Sequence, residues 1–305
     1  MDGHQSCFVG EAPLAILDAF CSREVGRLNN TRPEGVLRAS RAEIEQMASA
    51  AKVIRDCRRE LAARSADILS EVIAGRVTTS DWQHYPEGEV YDPTSHAQYF
   101  FHVHPAALRR APEHGHFHTL LRADGMPAGA VPLLLPELAV ADVTAVSPQA
   151  APLKRGTREE VSHLVAIAID THGRPVRLFT TNRWVTGETW YRAEDVIRML
   201  DRFVIAELAP SLVLNRWISA MIGLFRPQIA ALLQARDDTV MAWRRRRRAH
   251  VFEDPRLEIT SSLDIDLDAQ LALIDNALLT LDEVKPERMP GLPPMAEGWE
   301  TGCAG

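Results

Sequence analysis

Two stretches, FFHVHP at 100–105 and EHGHFHT at 113–119, place five histidines within 17 residues. Counting outward, His84, His96, His102, His104, His114, His116 and His118 hold seven of the chain's 11 histidines. Imidazole is both a transition-metal ligand and the side chain that exchanges protons near neutral pH. In a strand, alternate residues share a face. His102 and His104 therefore point one way, and His114, His116 and His118 point together. A hairpin with its loop near 105–113 sets His104 opposite His114 and His102 opposite His116. Same-face neighbours along a strand are roughly 6.7 Å apart and cross-strand partners about 5 Å. Four imidazoles then mark a small rectangle and can reach a common point. His118 lies one step beyond, as support or as ligand to another ion.

Without an ion this array is costly. Each ring leaves a polar nitrogen to satisfy, and protonating any one repels the others. A divalent transition metal relieves both, with iron or zinc the favoured ions. Two or three histidines with a carboxylate would leave a position for water or substrate. Glu113 adjoins the cluster but has the wrong strand parity, and it reaches the same ion only if the chain is still turning there. Asp92, Glu89 and Glu87 are further carboxylates nearby. The ligand candidates are thus His102, His104, His114, His116, His118 and Glu113. A metal-free histidine site and a structural array are the alternatives.

Polar aromatic segments surround the cluster. DWQHYP (81–86) offers His84 as ligand or acid–base, Tyr85 as proton donor and Asp81 as orienter of an imidazole. It reads equally as a turn with an aromatic anchor. In TTNRWVTGETWY (180–191), Arg183 suits a substrate carboxylate or phosphate. The plainer reading makes Trp184 and Trp190 core and Arg183 surface. The catalytic candidates are therefore His84, Tyr85 and Arg183. His163 opens an apolar strand whose same face carries Val165, Ile167 and Ile169, either as a buried polar edge or as an additional ligand.

These motifs carry three resemblances. The HxH pairs resemble the cupin metal motif, locally, although helical flanks depart from the cupin barrel. HGHFHTLL (114–121) is similar to the motif of histidine-triad nucleotide hydrolases and transferases. That likeness implies His116 as nucleophile on a phosphate with His114 and His118 in support; Gly115 and Thr119 depart from its pattern, and HVH is left over. DWQHYP and EHGHFHT together resemble an uncharacterised bacterial family across roughly 77–235, which implies no activity.

The elements that must hold these residues follow from periodicity. ASRAEIEQ onward to residue 75 spaces Ile44, Met47, Ala51, Ile54, Leu61 and Ile68 as one helix face. Ser40 and Glu43 form a capping box, and Gly75 is a stop. A shorter helix is expected at 12–28. Strands are expected near 97–104 and 114–122, then two more around the His172–Pro175 turn. Residues 131–159 read as a long loop. Helices return at 192–208, at 211–234 with a bend at Pro227, and at 266–282 behind an aspartate cap. The tail from 286 is proline-rich.

The fold expected is α+β, a small antiparallel sheet carrying the histidine hairpin between N-terminal and C-terminal helices. The composition divides it into 1–76, 77–250 and 251–305. No run of 18 apolar residues exists, so no membrane partner is expected. The opening MDGHQSCFVGEAP lacks a signal-peptide pattern, and four scattered cysteines read as free thiols of a cytoplasmic protein. The net charge of −7 disfavours nucleic acid despite the arginine run after Trp243, read as a solvated helix end. A metal-dependent enzyme acting on a small molecule is the expected function. A histidine-triad-like hydrolase and a metal sensor or carrier are the alternatives.

Overall fold

A computed structural model describes residues 26–27, 39–74, 79–133, 160–247 and 250–283. Of the long loop expected at 131–159, residues 134–159 lie outside these residues, as do the Gly75 stop and the proline-rich tail. So does the helix expected at 12–28, except that Gly26–Arg27 is a short strand, β1.

Helix α1 (Arg41–Ala63) starts where expected. The Ser40 side chain accepts the Glu43 N–H, and the Glu43 carboxylate accepts the Ser40 N–H at 2.8 Å. It buries Ile44, Met47, Ala51, Ile54, Cys57 and Leu61 along one face. The helix does not run on to 75. Ser65 takes a left-handed φ of 51°, and Asp67 caps a second short helix, α2 (Ile68–Val72).

Strands β2 (Tyr85–Tyr91), β3 (Ala97–His102), β4 (Gly115–Arg122), β5 (Val161–Ile169), β6 (Pro175–Thr181) and β7 (Ile259–Asp264) form an antiparallel sheet. Its order is β1-β7-β6-β5-β4-β3-β2, with β1 parallel to β7 at the edge. The expected α+β arrangement holds, with the sheet wider than the four strands foreseen. Between β5 and β6, Asp170 Oδ1 accepts the N–H groups of His172 and Arg174, and Gly173 supplies φ 69°.

The helices α3 (Arg183–Thr186), α4 (Ala193–Leu200), α5 (Leu212–Leu224), α6 (Arg226–Arg247) and α7 (Leu267–Glu283) follow. The helix expected at 192–208 stops at Leu200. Its continuation gives its backbone to other elements: Asp92 accepts the Ala206 N–H at 2.6 Å and Ser219 Oγ the Ile205 N–H at 2.9 Å. At Pro227 the expected bend is a 70° break between α5 and α6. Asp266 accepts the Ala269 N–H and caps α7. Among the described residues no single helix is long and apolar enough to cross a membrane. Cys57, the one cysteine among them, is a buried free thiol.

Alternation divides the sheet. Tyr99, Phe101 and Val103, with Phe117, Leu121, Val165, Ile167 and Leu178, join α1, α5 and α7 in one core. Trp217 of α5 meets Phe117 at 6.0 Å, and Asn215 accepts the Tyr99 hydroxyl. The other face carries Phe100, His102, His116, His118, Ala166, Ala168 and Phe179, also buried.

Gly115 lets β3 and β4 approach. A Cβ there would lie 2.5 Å from Phe101 Cζ, 2.6 Å from the His102 carbonyl and 2.8 Å from Val103 Cγ1. Two of those atoms are fixed by core and ladder. Gly115→Ala should therefore cost at least ~2 kcal/mol, as overpacking in a dense core does. Chemical denaturation would check it, and an unchanged midpoint would contradict the packing described.

Candidate metal centre

The β3–β4 register pairs His102 directly with His116. The expected face-sharing therefore holds for this pair. The ladder ends there, so the second expected pair, His104 with His114, does not form. β3 stops at His102, and His104 lies on the exit ahead of Pro105; β4 begins at Gly115, with the His114 N–H bonded to Ile169 O at 2.8 Å.

His104 nevertheless turns inward. Its Nε2 lies 3.3 Å from His102 Nε2, which lies 2.7 Å from His116 Nε2. The ligand atoms of His102, His104 and His116 all fall within 4.8 Å of one another, so these three could hold a metal ion. Two ligand nitrogens on a tetrahedral zinc stand about 3.3 Å apart, given a Zn–N bond near 2.05 Å. The His102–His104 separation matches that already. His102 and His116 would part by about half an ångström. His102 Nδ1 is buried without a hydrogen-bond partner. The three rings meet edge to face, with centroids 4.5–5.0 Å apart.

The remaining candidates lie as follows. His118 is on the same face, its ring 4.9 Å from His116, but its Nδ1 lies 3.1 Å from His163 Nε2. His114 makes no ring contact with the cluster among the described residues. The Glu113 carboxylate engages Arg177, with 2.7 Å between Oε2 and Nη2 and 2.5 Å between Oε1 and Nε. His84 stacks on Phe100 at 3.9 Å, lies 5.7 Å from the His102 ring, and bonds Glu89 through Nδ1 at 2.9 Å. Tyr85 faces the helix-covered core, where its hydroxyl accepts the Ser80 N–H at 2.8 Å and meets Gln83. Arg183 pairs with Glu253, and its Nε donates to Glu188 O. The alternative carboxylates Asp92 and Glu89 are likewise engaged, by backbone N–H groups in a turn and by His84 with Gln98.

His163 is where strand parity misleads. Across β4 and β5, Thr119 pairs with Val165 while Leu120 pairs with His163, leaving Leu164 as an extra residue. This bulge puts Leu164 and Val165 both in the helix-covered core. It thereby turns His163 onto the histidine face, away from the apolar residues with which simple alternation groups it. Its backbone N–H donates to the buried Glu188 carboxylate at 2.8 Å, and its Nδ1 lies 3.5 Å from Thr181 Oγ1. Spacing alone carried no sign of the bulge or of Glu188.

Two further neighbours went unforeseen at the triad. Trp82 lies over His104 with ring centroids 4.4 Å apart, yet is 46% exposed; its backbone N–H donates to Val103 O at 2.9 Å. On the other side the Phe179 ring meets His116 at 5.0 Å. Alternation through VRLFTT would have placed Arg177 and Phe179 on one face, and an arginine at such a position was the available signal.

The histidines are held neutral. Burial, reinforced by neighbouring imidazoles, keeps His102, His116 and His118 well below the ordinary value near 6.5. Burial brings His104 down to about 4, helped by Arg109, and His163 to about 3, helped by Arg236. Neutral imidazole is the ligand form, so the protein pre-forms the state a cation needs. Glu188 moves the opposite way, pushed up to about 7 by burial.

Each depressed histidine is unprotonated when folded but protonated when unfolded below pH 6.5. Its contribution is whole above that pH and is lost on acidification toward the folded values. Glu188 opposes this, since its raised value favours the folded state more at lower pH. His114 is lowered as well and Glu258 raised, so with six histidines against two carboxylates metal-free protein should take up a net several protons on unfolding near pH 5.5. Calorimetric Tm measured from pH 7.5 to 5 should fall steeply; a flat profile would mean that the imidazoles are not buried as neutral groups.

Neither a curated protein nor a solved structure matches the chain. A family match spans residues 48–265, wider than the 77–235 the motifs suggested, and includes the triad, His118, His163 and Glu188. The chain belongs to the DUF6969 family, a domain of unknown function.

Proposed function

We propose that this protein binds one divalent transition metal, zinc or iron, through His102, His104 and His116, and uses it as an enzyme on a small molecule. The observation that carries the reading is the meeting of three imidazole Nε2 atoms in a buried, neutral cluster. Three protein ligands leave at least one coordination position for exchange, as catalytic sites require and closed structural sites do not. A bound ion would supply Lewis acidity there. His84, close to His102 and oriented by Glu89, is the group we assign to proton transfer at the site. Tyr85 serves in holding the turn that carries Trp82 and His84. The exposed edge of Trp82 beside His104 marks the side from which a ligand would approach.

The histidine-triad reading finds less support. It needs His114 beside His116, whereas the ring set against His116 is His102 from the other strand. A sensor or carrier remains the rival, and coordination chemistry separates it from an enzyme.

Protein purified without a histidine tag should hold about one equivalent of metal by elemental analysis. His102→Ala and His116→Ala should each retain less than about a tenth of it, the upper range for losing a ligand or its support. His172→Ala, on the exposed β5–β6 turn, should retain all; equal retention in the three variants would dismiss the centre. Azide added to cobalt-loaded protein should change its visible spectrum, and an unresponsive spectrum would favour a saturated, non-catalytic site.

Chelation should lower Tm by several degrees, since an ion bound only to the folded state stabilises it by mass action. Unchanged Tm in chelator, with hydrolysis of a nucleoside phosphoramidate intact, would favour triad chemistry instead.

A further inference from the structure

We propose, building on the metal-binding reading, that the centre takes a small anionic substrate, a carboxylate, and that Arg177 binds its charged end. The argument begins with charge. Three neutral imidazoles contribute none, so a divalent ion held by His102, His104 and His116 keeps its full charge. No carboxylate on the flanking segments joins the triad as a ligand: Glu113 pairs with Arg177, Asp81 with Arg109, and Glu89 bonds His84 and Gln98. The site therefore calls for an anion from outside.

The register places a receptor for one. His102, His116, Ala168, Arg177 and Asp264 stand in a single row across β3, β4, β5, β6 and β7. Two strand spacings separate His116 from Arg177, about 10 Å between backbones. The residue between them is Ala168, whose methyl group fills little of that span. The Arg177 guanidinium lies 4.3 Å over the Phe179 ring, and that ring meets His116 edge-on.

Arg177 is only 6% exposed, and an arginine so buried needs its donors met. Glu113 accepts from Nη2 at 2.7 Å and lies 2.5 Å from Nε, which is buried without a hydrogen-bond partner. No carboxylate or carbonyl among the described residues meets Nη1. A guanidinium has five N–H groups in a fixed fork, so one edge can hold Glu113 while the other receives a carboxylate. A small molecule with one oxygen donor toward the ion and a carboxylate toward Arg177 fits the row. A neutral analogue would leave the charge of the ion uncompensated and Nη1 without a carboxylate acceptor.

Cobalt-loaded protein titrated with oxalate, and separately with its neutral analogue oxamide, tests this by visible spectroscopy. Oxalate should bind at least tenfold more tightly than oxamide. Arg177→Gln should weaken oxalate about tenfold while keeping one equivalent of cobalt, and Arg177→Lys should fall between. Equal affinity for the two probes would overturn the proposal. So would an oxalate affinity within twofold of wild type in Arg177→Gln, or loss of cobalt in both variants, which would make Arg177 a structural support. Failure of the wild-type protein to bind cobalt would instead remove the metal-binding reading, and this inference with it.

Discussion

The pairing of His102 with His116 across β3 and β4 is the constraint from which the site follows. A one-residue slip would send one of the two histidines through the sheet into the helix-packed core. Two features hold the register. Phe101 and Phe117, paired on the opposite face, are wholly buried against the helices, so a slip would expose large apolar surface. Gly115 admits the Phe101 ring and the His102 carbonyl at a distance no other residue allows. The helices thus fix the histidines without touching them, by making the alternative registers expensive.

Electrostatics gives the site its second character. The face opposite the helices gathers six imidazoles, those of His84, His102, His104, His116, His118 and His163, in a linked series of ring contacts. Burial keeps the inner ones neutral, and their mutual proximity adds to that. The charged groups present are matched with each other, as Glu113 is with Arg177. A face so arranged is neutral but rich in lone pairs, which suits a cation. Stability and metal affinity then respond to acid in the same direction, because both require the unprotonated ring.

Much of this was legible in the residues. Two HxH stretches separated by a turn imply paired strands, and period two alone puts His102 and His116 on one face. The capping box at Ser40, the turn at Gly173, the bend at Pro227 and the aspartate cap of α7 rest on local chemistry, and each is found in place. Less legible were the ends of elements. The helix after Arg192 stops at Leu200 because the Asp92 turn and Ser219 claim the backbone beyond it, and both are distant in sequence.

By itself, then, the sequence determined the α+β class, the histidine strands and a cluster that could hold a metal ion. Residue type and spacing act locally, through backbone geometry and donor chemistry. Tertiary structure decided which histidines meet. His104 enters the triad from beyond the end of its strand, and His114 stays outside because β4 starts one residue later. His163 reaches His118 through a bulge that inserts Leu164 into the core, and Arg177 comes into line with His116 two strands away. Those outcomes depend on where a ladder begins, slips or stops. That is settled by packing between residues far apart in the chain.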